Sequence, residues 1–252
     1  ALSGNQVGIL LLDYILTRLK EDGKLPANGV VVKSFVTTGM AKAICDDFGV
    51  ELVDVPVGFK FIGEKIKEYE ASGEKTFLFG FEESCGYLRG TEGSRDKDAV
   101  VASMLCAEMV CYYTYKQQSV YGRLMDLYAK YQFTLDRNIS IKFGGLNAMK
   151  EMNALVDSLK TKKAEKFDIY NVVAVRDYSS SVRRLADGTE ETMNIPQTNA
   201  VYYELENGSF ICVRPSGTEP KLKIYYSVRA KDEDAAEKAF ERMKAAFEAF
   251  MK

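Results

Sequence analysis

The sequence predicts an α/β protein: a mixed, mostly parallel sheet covered by helices, followed by an α+β domain. In the first half, short apolar runs alternate with segments of helical periodicity, which is typical of a parallel sheet covered on both faces. In the second half, strand-like runs lie between two amphipathic segments, which is typical of an antiparallel α+β domain. We expect the division near Asp136, so that the domains span residues 1–136 and 137–252.

The first half predicts three buried strands separated by helices. Apolar residues recur at helical spacing over 5–20, and Gly23 and Pro26 end that helix. The elements predicted after it are a strand at 30–37, a helix at 40–48, a strand at 50–55, a helix at 61–71, a strand at 76–81, a polar loop at 88–97, a helix at about 98–116 and a helical segment at 124–131. Because ligands bind at the carboxyl ends of parallel strands, we expect residues 37–39, 57–60 and 82–87 to share one edge of the sheet.

The second half predicts strands enclosed by two helices. Alternation of apolar and polar residues indicates the strands, and Asp187-Gly188-Thr189 predicts a turn. The predicted elements are a strand at 138–143, a helix at 147–159, strands at 170–177, 199–205, 209–213 and 221–228, and a final helix at 232–252 with one apolar face.

The composition excludes several classes of function. The 252 residues carry a formal net charge of −2, so neither nucleic acid nor an anionic membrane surface is an expected partner. The chain has no histidine, which excludes Ser-His-Asp and Cys-His catalysis. Its five cysteines show no C-x-x-C spacing, which indicates a reducing compartment and favours a cytoplasmic protein. The apolar run at 7–12 is too short to span a bilayer.

The loop Arg214–Pro220 lies between the last two predicted strands and collects hydrogen-bond donors. It contains a guanidinium, the hydroxyls of Ser216 and Thr218, and the backbone N–H groups around Gly217. These groups suit the oxygens of a phosphate, which arginine binds through two parallel hydrogen bonds. The residue types leave two alternatives open: a phosphate-binding loop, or a β-turn whose arginine pairs with a neighbouring carboxylate.

Three loops of the first half carry further candidate residues, and each has an ordinary alternative. They are Gly58-Phe59-Lys60 at a predicted helix start, Glu82-Glu83-Ser84 after a buried strand, and Arg95-Asp96-Lys97-Asp98 before the long helix. Taken singly, they are explained by a solvated lysine, a carboxylate pair in a salt bridge or helix start, and a capping segment. Together, carboxylates that accept hydroxyl protons and basic groups that bind phosphate predict a sugar-phosphate site.

Four of these segments together resemble the C-terminal half of the α-D-phosphohexomutases, the family of phosphoglucomutase and phosphomannomutase. Gly80-Phe81-Glu82-Glu83-Ser84-Cys85-Gly86 is similar to the family's sugar-recognition loop, and Arg214–Pro220 is similar to its phosphate-binding loop. Residues 57–61 and 95–98 also match family segments. The resemblance covers essentially the whole chain. It implies that residues 1–136 are the family's third domain and residues 137–252 its fourth, a mobile lid with a TBP-like α+β fold.

The resemblance also implies roles for particular residues. Glu82 and Ser84 would bind sugar hydroxyls. Lys60 and Lys97 would line the cleft near the reacting phosphate, with one of them a candidate for proton transfer. Four residues would hold the phosphate that is not transferred, namely Arg214, Ser216, Gly217 and Thr218.

Two motifs of the family are absent from the sequence. These are the phosphorylatable serine in its Ser-His-Asn-Pro-like loop and the Asp-Gly-Asp-x-Asp-Arg metal loop. We therefore expect no metal site in this chain, and we interpret it as a fragment that binds sugar and phosphate without turnover. The resemblance implies that the full-length enzyme uses Mg²⁺ and glucose 1,6-bisphosphate to interconvert hexose 1-phosphate and hexose 6-phosphate. Its partners would be hexose phosphates and the N-terminal domains of the same chain.

The preferred substrate is left open by the resemblance. The Glu-Glu-Ser form of the sugar-recognition loop is closer to the glucose-preferring branch than the Glu-Met-Ser form is. Two alternatives remain: a phosphomannomutase of the same family, and a stand-alone module that binds sugar phosphates without catalysis.

Overall fold

The computed structural model describes residues 1–91 and 93–252 and divides into two compact units, Ala1–Tyr131 and Gln132–Lys252. The sequence placed the division near Asp136. In the structure, a strand that begins at Phe133 runs through Asp136 and pairs with the second unit's sheet, so the units divide a few residues earlier. Of the loop predicted at 88–97, Glu92 lies outside the described residues. No helix in the described ranges combines the length and the apolar character needed to cross a bilayer.

The first unit contains a four-stranded sheet and five helices. Its elements are α1 (Gly4–Glu21), β1 (Gly29–Ser34), α2 (Met40–Phe48), β2 (Glu51–Val55), α3 (Phe59–Ser72), β3 (Thr76–Glu82), β4 (Gly86–Leu88), α4 (Ala99–Tyr115) and α5 (Val120–Tyr131). The strand order is β2-β1-β3-β4, in which the first three strands are parallel and β4 is antiparallel to β3. The predicted mixed, mostly parallel sheet is confirmed. Strand β4 was not predicted, because three residues are too short to show a periodicity.

Helices cover both faces of this sheet. On one face, α3 packs Ile62 and Ile66 against Val30, Val32 and Val55 of the strands. On the other face lies α1, whose residues 8–16 are all buried. Helix α3 therefore turns its apolar face to the sheet, whereas α1 is enclosed on all sides over residues 8–16.

One buried carboxylate ties three helices of the first unit together. Asp13 of α1 is 1% exposed, and it accepts hydrogen bonds from Arg123 of α5 at 2.7 and 2.8 Å and from the hydroxyl of Tyr113 of α4 at 2.7 Å. Because both oxygens of this buried charge are satisfied, the contact holds α4 and α5 against α1.

The second unit contains an eight-stranded antiparallel sheet. Its elements are β5 (Phe133–Lys142), α6 (Ala148–Thr161), β6 (Lys166–Phe167), β7 (Tyr170–Asp177), β8 (Val182–Leu185), β9 (Glu190–Thr192), β10 (Val201–Leu205), β11 (Phe210–Pro215), β12 (Lys221–Ala230) and α7 (Glu233–Met251). The order is β5-β12-β11-β10-β7-β8-β9, and β6 pairs with β7.

Both helices of the second unit contribute to one core with the sheet. Met152 and Val156 of α6 and Phe240 and Phe247 of α7 pack with Tyr226 of β12 in that core. The predicted α+β class is confirmed. Strands β8 and β9 flank the predicted turn but were not predicted. The edge strand β9 is short, charged and exposed, and the mostly half-buried β8 has two arginines between Val182 and Leu185, so neither strand shows an apolar alternation.

Candidate functional site

The carboxyl end of β3 carries a buried carboxylate, Glu82, which is 5% exposed. Its Oε1 accepts a hydrogen bond from the N–H of Gly58 at 2.7 Å, and Gly58 directly precedes α3. Gly58 has a φ of 126°, which a residue with a Cβ adopts only under strain. The bond therefore connects the segment before α3 to the end of β3, and the glycine permits the backbone conformation of that segment.

Burial changes the acid–base behaviour of Glu82. Loss of hydration raises the pKa of Glu82 above its usual range, and the neighbouring Glu83 carboxylate acts in the same direction. The Gly58 N–H and the Lys97 ammonium oppose the increase. Glu82 therefore holds its proton to a higher pH than an exposed glutamate does.

Lys97 lies beside Glu82. A Cβ placed on Gly86 would be 2.7 Å from Cδ of Lys97, so the lysine's aliphatic stem passes close to the start of β4. Gly86 pairs with Glu82 in the β3–β4 ladder. The Lys97 ammonium lies 5.2 Å from the ring centroid of Phe59 and 2.8 Å from an oxygen of Asp96. The structure thus places Lys97, one of the predicted cations, beside the predicted carboxylate Glu82.

Lys60 and Ser84 are exposed. Helix α3 begins at Phe59, earlier than predicted, so Lys60 lies in its first turn with its ammonium 4.6 Å from the ring centroid of Phe61. Ser84 lies in the turn that joins β3 to β4. Within residues 1–91 and 93–252, no hydrogen bond or ion pair engages the Lys60 ammonium or the Ser84 hydroxyl. Both groups are therefore accessible to a ligand.

The sequence analysis missed a buried polar cluster after β1. Lys33 is 4% exposed, and its ammonium donates to the carbonyl oxygens of Thr37 at 3.1 Å and Ser34 at 3.3 Å and pairs with Asp54 at 2.9 Å. The hydroxyls of Ser34 and Thr37 lie 2.8 Å apart and both approach Glu83. A lysine directly after three buried valines was the available signal.

In the second unit, the predicted phosphate loop joins β11 to β12. Arg214 is half-buried and lies opposite Lys223 across the two strands. The N–H of Ser216 donates to the carbonyl of Lys221 at 2.8 Å, and the N–H of Thr218 lies 3.5 Å from the Ser216 hydroxyl oxygen. Gly217 and Thr218 are exposed. A backbone hydrogen bond therefore fixes the base of the loop, and its tip, Gly217 and Thr218, is open to solvent.

The alternative interpretation of this loop required a carboxylate partner for Arg214. In the part of the chain that the structure describes, no carboxylate lies within ion-pairing distance of the Arg214 guanidinium. Its donors remain available to an anion. No group of three or more Cys, Asp or Glu side chains among the described residues is placed to hold a metal ion.

Comparison with known families finds two matches. The family model described as "Phosphoglucomutase/phosphomannomutase, alpha/beta/alpha domain III" matches residues 3–131, and the one described as "Phosphoglucomutase/phosphomannomutase, C-terminal domain" matches residues 151–246. A phosphoglucomutase of Staphylococcus saprophyticus is 31% identical over 240 residues, which cover 95% of this chain and 43% of the relative. The chain thus spans less than half the length of this relative.

Solved structures with the same fold include two of related enzymes. The Paramecium phosphoglucomutase pp63/parafusin, in its open form, matches with a TM-score of 0.64 at 15% identity and covers 100% of this chain and 42% of its own. An N-acetylphosphoglucosamine mutase of Aspergillus fumigatus in complex with glucose 1,6-bisphosphate matches with a TM-score of 0.50 at 14% identity, covering 99% and 44%. At these identities the similarity concerns the fold.

Proposed function

We propose that this chain, which belongs to the phosphoglucomutase/phosphomannomutase family, supplies the hexose-recognition and phosphate-binding loops of a phosphoglucomutase-type isomerase. The two family matches confirm the resemblance and the fold class predicted from the sequence. The observation that carries the proposal is the buried Glu82, held by the Gly58 N–H beside the Lys97 ammonium at the carboxyl end of β3.

In this proposal the first unit recognises the sugar. The second oxygen of Glu82 and the hydroxyl of Ser84 bind the hexose hydroxyls, because a carboxylate accepts hydroxyl protons and a serine both donates and accepts. Lys97 and Lys60 add positive charge next to these groups, which stabilises a reacting phosphate and places an ammonium in position for proton transfer.

The second unit binds the phosphate that is not transferred. The Arg214 guanidinium, the hydroxyls of Ser216 and Thr218 and the N–H groups around Gly217 are the donors that a phosphate's oxygens accept. Lys223, opposite Arg214, adds a second positive charge.

The phosphoryl transfer itself needs groups outside this chain. Phosphoryl transfer depends on positioning and charge neutralisation, commonly with a metal ion. The described residues offer no donor cluster for Mg²⁺, so no step proposed here involves a metal. Because the chain aligns with 43% of its relative, we assign the phosphoryl donor and the metal to N-terminal domains of a longer enzyme. No disulfide links the cysteines of the described ranges, in keeping with a cytoplasmic enzyme.

A titration of this chain with glucose 6-phosphate, mannose 6-phosphate and inorganic phosphate tests the proposal. The expected order of affinity is glucose 6-phosphate, mannose 6-phosphate and then phosphate. Both hexose phosphates should bind more tightly than phosphate, because only they engage Glu82 and Ser84. Glucose 6-phosphate should bind more tightly than mannose 6-phosphate, because the Glu-Glu-Ser form of the loop is closer to the glucose-preferring branch. Mannose 6-phosphate binding as tightly as glucose 6-phosphate would favour the phosphomannomutase alternative. Equal affinity for all three ligands would contradict hexose recognition by the first unit.

A further inference from the structure

The two adjacent carboxylates at the end of β3 contact different parts of the first unit. Glu82 accepts the Gly58 N–H in the segment before α3. The Oε2 of Glu83 lies 3.3 Å from the hydroxyl of Ser34, the last residue of β1, and 3.4 Å from that of Thr37 in the segment that follows β1. Glu82 is the last residue of β3 and Glu83 the first residue of the turn that follows, so the two neighbouring glutamates reach different segments.

The hydroxyls of Ser34 and Thr37 form a buried pair that requires an acceptor. Both residues are 0% exposed, and their oxygens are 2.8 Å apart. One hydroxyl donates to the other, so one hydroxyl hydrogen of the pair remains, and a buried donor without an acceptor is costly. The Glu83 carboxylate is within reach of both oxygens and accepts this hydrogen.

Lys33 fixes the segment that carries this hydroxyl pair. The Lys33 ammonium donates to the carbonyl groups of Ser34 and Thr37 and is neutralised by Asp54. A fully buried cation with three partners constrains the backbone of the segment. Glu83 is therefore attached to a fixed part of the fold.

The hairpin that Glu83 belongs to is short and exposed at its tip. Strands β3 and β4 pair through three residue pairs, and the last of them is Glu82 with Gly86. Ser84 and Cys85 are exposed, and Cys85 has a φ of 62°, which residues other than glycine seldom adopt. Because the ladder ends at Glu82, the attachment of Glu83 governs where Ser84 lies.

We infer that Glu83 is a positioning residue. Its carboxylate binds the Ser34–Thr37 hydroxyl pair and thereby places Glu82 and Ser84 for the hexose, while it does not bind the sugar itself. The inference rests on the proposed function, since it takes Glu82 and Ser84 as the sugar-binding groups. It assigns part of the selectivity for the hexose to a hydroxyl pair that does not touch the substrate.

Calorimetric titration of the 252-residue chain with glucose 6-phosphate and with inorganic phosphate tests the inference. Glu83→Ala should weaken glucose 6-phosphate binding about tenfold, as expected for one lost charge-assisted hydrogen bond, and leave phosphate binding unchanged. Glu83→Gln keeps an acceptor oxygen and should bind nearly as the unmodified chain does.

The double variant Ser34→Ala/Thr37→Val separates positioning from direct binding. It removes the hydroxyl pair and keeps Glu83, so it should reproduce the loss caused by Glu83→Ala. If Glu83 instead binds the sugar directly, the double variant would bind glucose 6-phosphate normally while Glu83→Ala would not. That result would overturn the inference and leave the proposed function standing.

Hydrogen exchange of the hairpin amides gives a readout that needs no ligand. The amides of residues 83–86 should exchange faster in Glu83→Ala and in the double variant than in the unmodified chain, and Glu83→Gln should restore slow exchange. Unchanged exchange in both variants would overturn the positioning role. A chain that binds neither ligand would refute the proposed function, and the exchange data would still decide the role of Glu83.

Discussion

The edge of the first unit's sheet is proposed to bind sugar hydroxyls and the loop of the second unit to bind phosphate, and the two regions are built in opposite ways. At the edge, Glu82, Ser34 and Thr37 are buried, and each has a hydrogen-bond partner within the unit. In the loop, Gly217 and Thr218 are exposed, and the backbone hydrogen bond from the Ser216 N–H to the Lys221 carbonyl lies at the base.

From this difference we infer that the edge provides selectivity for the sugar and that the loop provides affinity for phosphate. Buried groups with fixed partners accept only a ligand whose hydroxyl groups fit their positions, so the edge can discriminate between hexoses. The half-buried cations Arg214 and Lys223 attract any phosphate that reaches the loop, because charge acts over distance and tolerates imprecise geometry. Substitutions at the edge should therefore change stability and selectivity, whereas substitutions in the loop should change affinity alone.

The largest effect is expected in the loop. Arg214→Ala should weaken binding of glucose 6-phosphate about 10- to 100-fold, since a hydrogen bond to a charged group contributes about 1.5–3 kcal/mol. The free energy of unfolding should change by less than about 0.5 kcal/mol, because no ion pair of the described ranges involves Arg214. Calorimetry and urea unfolding measure the two quantities. A matching loss of stability and affinity would show that the loop is not separable from the fold.

A pair of glycine substitutions compares the two regions directly. Gly58→Ala should lower the free energy of unfolding by about 1–3 kcal/mol, because alanine at a φ of 126° is strained and the N–H bonded to Glu82 would move. Gly217→Ala is the matched control: nothing lies within 4 Å of a Cβ placed there, so stability should change by less than about 0.5 kcal/mol. Equal destabilisation in urea unfolding would contradict the contrast between edge and loop.

The raised pKa of Glu82 predicts a pH dependence of stability at the edge. Burial raises the pKa of Glu82 in the folded chain, so the folded state holds the proton more tightly than the unfolded state. This contribution is complete below the ordinary glutamate pKa of about 4.3 and is lost as the pH rises through the raised value. The unfolding free energy of the unmodified chain should therefore fall across that window relative to Glu82→Gln. Parallel pH profiles from urea unfolding would rule out a perturbed Glu82.

A change in salt concentration is expected to have the smallest effect on ligand binding. Raising the ionic strength from about 0.05 to 0.5 M should weaken phosphate binding several-fold, because exposed charges are screened. The ratio of glucose 6-phosphate to mannose 6-phosphate affinity should stay nearly constant, since it depends on buried hydrogen bonds. A salt-dependent ratio would mean that selectivity also arises from exposed charge.

The contrast also explains which features the sequence could predict. The strand pattern predicted that the ends of β1, β2 and β3 share an edge, and the resemblance selected Glu82 as a candidate there. Local patterns do not show that Glu82 bonds the N–H of Gly58, because this contact depends on packing between segments 24 residues apart. They also do not show that the Lys33 ammonium bonds the nearby Thr37 carbonyl, because that contact depends on the burial of the lysine beside Asp54. The phosphate loop was recognisable since its donors are consecutive.

Titration of the chain with glucose 1,6-bisphosphate in the absence of metal tests the central claim most directly. The account predicts saturable binding, weakened by Arg214→Ala in the loop and by Glu82→Ala at the edge. Such a result would mean that sugar recognition and phosphate binding both reside in these 252 residues. A folded chain with no measurable affinity for the bisphosphate would contradict the assignment of either region to substrate binding.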